Sequence, residues 1–328
     1  MFAKSLLTVG VVALFSACGG GGGGDSGSNV IADSRPSVAL STLNFDTAGK
    51  EVMGGTSNVS NIADFSGFLT GAEVSSGITF VQFIQAKYPL ALKAMKQTAY
   101  LSGVTVNESG PCSGGGSVTF SGNVRSEVNP SPGDAITLTA SNCREVGATV
   151  NGSLALRIMS VSGNFDSFPF SMGLEASTTD FRASTGTATY QSSGSMTLNV
   201  TATSSISQDV AVTIPSMVSS VAAGAKTETY QYTNYSMAMS VRGSSTSLSL
   251  NGGMNVPSLG GNLVTVQTVQ PFTSTTSYPT SGNAIATTAL GGKMRITASS
   301  GSQALIELDA NSDGTYETSK SVPWNEVF

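Results

Sequence analysis

Ser195-Met196-Thr197-Leu198-Asn199-Val200-Thr201-Ala202-Thr203 alternates an apolar side chain with a hydroxyl or an amide at every step. A β-strand sends successive side chains to opposite faces, so this spelling puts Met196, Leu198, Val200 and Ala202 on a dry face. The same period of two recurs on both sides of it. Toward the N-terminus stand Val118, Phe120 and Val124, then Ile136, Leu138 and Ala140, then Leu154, Leu156 and Ile158. Toward the C-terminus follow Tyr235, Met237, Met239 and Val241, then Leu248 and Leu250, then Met294, Ile296 and Ala298, then Ala304, Ile306 and Leu308. Bounded by Gly, Asn and Pro, such runs read as half-buried antiparallel strands, roughly ten to thirteen of them. No βαβ rhythm interrupts them. The expected fold is mainly β, a large antiparallel sheet domain (sandwich or open barrel) over residues 111–328, after a mixed segment at 38–110.

Turn chemistry adds one local expectation. Asn151-Gly152, between Val150 and Leu154, spells a two-residue hairpin, because a type I′ turn needs positive φ at both central residues. Leu250-Asn251-Gly252-Gly253-Met254 echoes Val150-Asn151-Gly152-Ser153-Leu154 one hundred residues later. The echo is read either as a weak duplication of hairpin units or as chance recurrence of a common turn.

Within 38–110 the period shifts toward that of a helix. Phe80, Phe83, Ile84 and Tyr88 share one helical face, and Leu90–Tyr100 has the best helix-forming composition in the chain. Pro89 suits the first turn of the second piece, so a helix with a break is expected over about 80–101. A helix packed on the sheet and a mobile amphipathic lid over a cavity both fit this pattern.

The C-terminal region holds one acidic cluster. Asp309-Ala310-Asn311-Ser312-Asp313-Gly314 matches the first half of a calcium loop, in which oxygen side chains at alternate positions converge on a hard cation. Asp309, Asn311 and Asp313 are therefore the candidate metal ligands. The twelfth position is Lys320 rather than the bidentate Glu of an EF-hand, and Glu317 stands at the ninth. The competing expectation is a hairpin tip whose Asp and Asn side chains bond their own backbone. Phe328 could end an outer-membrane barrel, but Pro323 and Glu326 break the alternation before it.

At the start of the chain, Lys4 precedes the apolar run Leu6–Phe15, about ten residues and too short to span a bilayer. Ser16 and Ala17 then lead to Cys18 and a run of six glycines. This start resembles that of bacterial lipoproteins, with Phe15 in the lipobox position usually held by an aliphatic residue. The resemblance covers about the first 25 residues. It implies a signal peptide over 1–17 and acyl groups, palmitate among them, on the sulfur and amine of Cys18. Gly19 rather than Asp after the cysteine implies the cell outer membrane, with the domain facing either the periplasm or the surface. Several acyl chains hold far better than one. Residues 18–37 then form a Gly/Ser-rich tether, about 25 Å across as a random coil.

Composition agrees with export. Only 11% of residues are charged, there is no histidine, and the net charge of −5 becomes −6 once residues 1–17, with Lys4, are removed. An acidic chain without a basic run offers nothing to nucleic acid. Cys112 and Cys143 are the remaining cysteines, an even pair in an oxidising compartment, and a disulfide is expected.

Enzymatic chemistry has little to build on. Without His the commonest base and metal ligand are missing. Glu127, Asp134, Asp166, Glu175 and Asp180 show no spacing that would pair two of them across a cleft. The expected function is a lipid-anchored, non-catalytic β domain for binding or structural contact in the cell envelope, without a cofactor and with a protein or glycan partner left open. Alternatives are a periplasmic carrier of lipid or another apolar ligand, and a polysaccharide-acting enzyme.

Overall fold

The computed structural model describes residues 37–62, 104–125, 130–145, 147–163, 167–186, 188–204, 206–275 and 278–327. Cys18, the tether before residue 37 and the helix expected over 80–101 lie outside them. An α-helix, α1 (Phe45–Ile62), comes first. Seven strands follow: β1 (Val104–Pro111), β2 (Ser117–Val124), β3 (Ala135–Glu145), β4 (Ala148–Gly163), β5 (Phe170–Ser184), β6 (Ala188–Ser204) and β7 (Ser207–Ala223). Seven more complete the sheet: β8 (Lys226–Arg242), β9 (Ser245–Val256), β10 (Asn262–Ser274), β11 (Ser281–Thr288), β12 (Lys293–Ser300), β13 (Gln303–Asp309) and β14 (Thr318–Pro323). All fourteen form one antiparallel sheet in which each strand pairs with its neighbours in sequence. The mainly β expectation holds, in one continuous sheet that begins at Val104 rather than residue 111. No described helix is long and apolar enough to cross a membrane.

Alternation decides the two faces. Met196, Leu198, Val200 and Ala202 are all buried, and so are Val210, Val212 and Ile214 beside them on β7. The other face is polar. One register row runs Glu175, Thr197, Thr213, Ser236, Asn251 and Gln267 across β5 to β10. A second runs Thr201, Asp209, Ser240, Ser247, Thr273 and Ser281 across β6 to β11. This polarity is the reverse of a membrane-spanning barrel, whose outward band is apolar.

Helix α1 lies against the apolar face, where Phe45, Ala48, Val52, Met53 and Val59 are buried. It touches β9, β12 and β13, and two of its groups hydrogen-bond tyrosines of β8. Strands β8 and β13 stand five places apart, about 24 Å along a flat sheet, while a helix is about 10–12 Å across. The sheet must therefore curl around α1. No β1–β14 pairing closes the sheet among the described residues.

This helix carries little helical propensity. Gly49, Gly54 and Gly55 interrupt it, each about 1 kcal/mol worse than Ala in a helix interior. Packing accounts for two of them: a Cβ on Gly49 would lie 2.8 Å from Ile306, and one on Gly55 2.2 Å from Met254 Cε and 3.0 Å from the Tyr230 ring, whereas one on Gly54 would make ordinary contacts. The backbone of α1 itself is the packing surface. Its N-terminus starts at Asn44, whose carbonyl accepts the first helical bond from Ala48 and whose side chain accepts from the Ser41 amide.

The curl also needs bends within strands, and here the structure corrects the reading of Asn151-Gly152. That dipeptide lies inside β4 rather than at a hairpin tip. Gly152, at φ +98°, faces Asp180 of β5, itself at φ +47° where the β5–β6 register shifts. Gly252, at φ +118°, faces Asn234 of β8, also at φ +47° beside a register shift. The echo between the two sequences is thus one structural device used twice, a β-bulge met by a glycine on the next strand. A turn and a bulge both need residues that accept positive φ, so one spelling serves both.

A Cβ on Gly252 would come within 2.2 Å of the Asn234 carbonyl oxygen, whereas Gly224, at a turn with φ +61°, has open space around it. Gly224→Ala should cost about 1–2 kcal/mol from backbone strain alone. Gly252→Ala should cost more than ~3 kcal/mol, because the clash adds to the strain. Urea midpoints at unchanged m-value would separate the two; equal shifts would remove the bulge device as a structural requirement.

Candidate functional site

The structure joins Cys112 and Cys143 in a disulfide, with Cα atoms 5.4 Å apart. The bond ties the β1–β2 turn to the end of β3, bridging across β2. Glu145 completes this corner: its carboxylate accepts from the amide of Ser113 at 2.8 Å and from its hydroxyl at 2.7 Å. Glu145 and the two sulfurs are close enough to hold a metal, but sulfurs bonded to each other are not thiolate ligands.

At the β13–β14 hairpin, the calcium candidates Asp309, Asn311 and Asp313 do come together, and Glu317 joins them. Carboxylate oxygens of Asp309, Asp313 and Glu317 lie within 4.8 Å of one another. Part of their acceptor capacity serves the backbone. Asp309 accepts from the amides of Asp313 and Gly314, Asn311 from that of Asp313, and Glu317 from that of Ala310. Asp313 accepts from the amide of Thr315, and this bond, with help from Asn311, holds its exposed carboxyl below the usual carboxylate range. These bonds are those of a hairpin tip folded on its own side chains. Lys320, at the twelfth position, bonds Asp46 of α1 instead of serving the loop.

The carboxylates considered for catalysis do not converge among the described residues. Asp134 is committed to the amides of Arg125 and Ser131. Glu175 lines an open depression of about 320 Å³ together with Arg157, its register partner. Asp180 sits five residues further along β5, about 16 Å away by strand rise, beyond the roughly 5–10 Å of a glycosidase pair. Glu127 and Asp166 lie outside the described residues.

A cluster that sequence reading missed lies where α1 meets β8. Tyr230 and Tyr232 stack with ring centroids 6.4 Å apart, and Tyr232 meets Tyr235 edge-on at 5.4 Å. Tyr232 donates to the carbonyl of Gly55 at 2.8 Å. Thr56 gives its hydroxyl proton to the carbonyl of Val52, so the 2.8 Å contact between Thr56 and Tyr235 has the tyrosine as donor. Tyr230 donates to Glu228 at 3.1 Å. Burial pushes the Tyr190 hydroxyl on β6 up to about 12, against the opposing effect of the Ser219 and Ser192 hydroxyls. It also raises Tyr230, Tyr232 and Tyr235 well above the ordinary tyrosine value. Neutral phenols with these bonds lock the helix; they offer no nucleophile or base at ordinary pH. One signal was readable in sequence: Tyr230-Gln231-Tyr232-Thr233-Asn234-Tyr235 departs from strict alternation, as a bulge at Asn234 requires.

The accessible chemistry is on the exposed face, in its rows of hydroxyls and amides and in two ion pairs. Arg242 meets Asp209 at 2.7 Å. Arg295 grips Glu307 through two nitrogens at 2.5 and 2.8 Å and lies over the Tyr316 ring. The chain matches no protein-family model, no curated protein and no solved structure.

Two outcomes follow from these bonds. The raised tyrosines stay protonated in the folded state while the unfolded chain ionises near pH 10, so stability is full below pH 10 and falls as pH rises above it. The slope is about 1.4 kcal/mol per pH unit for each tyrosine. Of the tyrosinate absorbance of all eight tyrosines, the share of these four should appear only with alkaline unfolding; ionisation of all eight well before unfolding would contradict the burial. The paired variant Cys112→Ser/Cys143→Ser should lose about 3–4 kcal/mol on urea unfolding, the loop-closure contribution of a crosslink at sequence separation 31.

Proposed function

We propose that this chain is a lipid-anchored protein of the cell envelope whose β domain makes non-catalytic contacts through its exposed polar face. The observation that carries this reading is the division of labour between the two sheet faces. Over β8, β9, β12 and β13 the apolar face is occupied by α1, seated so closely that a Cβ at position 55 would press on Met254 and the Tyr230 ring. The exposed face presents aligned hydroxyls and amides over six consecutive strands. Such a surface suits many weak hydrogen bonds to a protein or glycan partner rather than one deep ligand site.

Anchoring is supported by the sequence around Cys18, and the Cys112–Cys143 disulfide suits an oxidising compartment. Outer-membrane placement follows from the residue after Cys18 in the lipoprotein pattern. Carriage of a lipid between α1 and the strands it covers would require the helix to move aside, breaking the Tyr232–Gly55 and Tyr235–Thr56 bonds together, and this favours contact over carriage at that part of the face.

Radiolabelled palmitate should enter the wild-type chain and be lost in Cys18→Ser, which should also leave the membrane pellet. Protease added to intact cells, with lysed cells as control, would then separate surface from periplasm: digestion in intact cells makes adhesion the function, and protection until lysis favours an envelope-assembly contact. Protein that takes up no palmitate would overturn the anchored reading. Copurification of stoichiometric lipid beyond the acyl groups of Cys18 would replace contact with carriage.

A further inference from the structure

Large apolar side chains are left in water toward both ends of the sheet: Met159, Phe168, Ile206 and Val269 toward one, and a second group at the rim where the described chain begins. Leu43 is 91% exposed, Leu290 54%, Val38 44% and Leu263 40%. Three contacts join the segments that carry them. The amide of Val38 donates to the carbonyl of Leu259, just before β10, at 3.0 Å. Ala289, in the β11–β12 turn, donates to the carbonyl of Leu263 at 3.2 Å. Leu40 lies against Gly292 in the same turn, within 3.3 Å of where a Cβ would stand. Strand order places the β9–β10 and β11–β12 turns at one end of the sheet, and the β6–β7 turn with exposed Ile206 at the other.

We propose that this entry rim rests on the lipid surface, with Leu43 and Leu290 entering the headgroup region. The inference builds on the anchored reading above. Cys18 lies only 20 residues before Val38. An anchor that short keeps the entry rim, rather than the opposite rim, at the membrane. Aliphatic side chains standing out of a polar surface are what an interface takes up, with affinity that scales with the apolar area buried. The charge nearby selects the lipid. Gly292 donates to the Ser312 hydroxyl at 3.1 Å, which brings the acidic 309–317 hairpin tip beside Leu290. That tip repels anionic headgroups, so the surface is a zwitterionic one.

The test uses the full acylated protein reconstituted into phosphatidylethanolamine–phosphatidylcholine vesicles. Single variants Leu43→Cys, Leu290→Cys and, as the opposite-rim control, Ile206→Cys carry an environment-sensitive fluorophore on their one free thiol. All three positions are exposed, so labelling disturbs no packing. Labels at 43 and 290 should shift to the blue and be quenched by nitroxide lipids, while the label at 206 keeps its aqueous emission. Equal emission at 290 and 206, with intact acyl groups on Cys18 by mass spectrometry, would overturn the rim contact and leave the anchored reading standing. Absence of acyl groups on Cys18 would remove both.

Discussion

The hydroxyl of Tyr232 reaches across the sheet–helix boundary to the carbonyl of Gly55, and much of the described structure depends on that short approach. Glycines at 49 and 55 let Ile306 of β13, Met254 of β9 and Tyr230 of β8 approach the helix backbone between its buried side chains. Only a curled sheet brings those strands within reach. Each condition explains features that local rules disfavour: glycines inside a helix, positive φ inside strands, and tyrosine hydroxyls buried in an apolar face. Weak helical propensity in α1 means that the helix exists because the sheet holds it, as for most short helices in water.

Polar groups at this boundary act as fasteners. A phenol that donates to a buried carbonyl leaves neither partner unsatisfied, whereas an unmade bond there would cost about 1–3 kcal/mol. Ion pairs at the edge of the helix add less. Lys50 meets Glu326 at 2.7 Å and Lys320 meets Asp46, tying α1 to the C-terminal residues. For Asp46, burial opposes ionisation, but the bonds from Lys320 and the Thr47 amide outweigh it and hold the carboxyl below its ordinary value. Such exposed pairs contribute about 0–1 kcal/mol each and chiefly set geometry.

Legibility in sequence followed the range of the interactions. The two-residue period was readable from Val118 to Leu308 because a strand's facing depends only on its own spelling once one side is dry. The disulfide was readable because, with Cys18 set aside by its lipoprotein-like surroundings, the two cysteines that remain of three allow one pairing. Asn151-Gly152 misled, since positive φ is a property of the backbone and not of the turn or bulge that uses it. Helix α1 was missed although Phe45, Ala48, Val52, Thr56 and Val59 follow a helical spacing; Gly54-Gly55 reads as a break until Met254 and Tyr230 are seen to need the space. The acidic hairpin tip was ambiguous for a related reason: the same oxygens can face a cation or their own amides, and the positions of the amides are not written in the pattern.

By itself, then, the sequence determined the class of the fold, the two faces of each strand and the covalent bridge between Cys112 and Cys143, all consequences of local periodicity or of simple pairing. Tertiary structure alone decided that the strands form one curled sheet rather than two stacked ones, that Gly152 and Gly252 bend strands instead of ending them, and that four tyrosines face the interior. The physical reason is that curvature is collective: it arises where bulges on neighbouring strands line up and a helix fills the space they enclose, and no single stretch of chain carries that information.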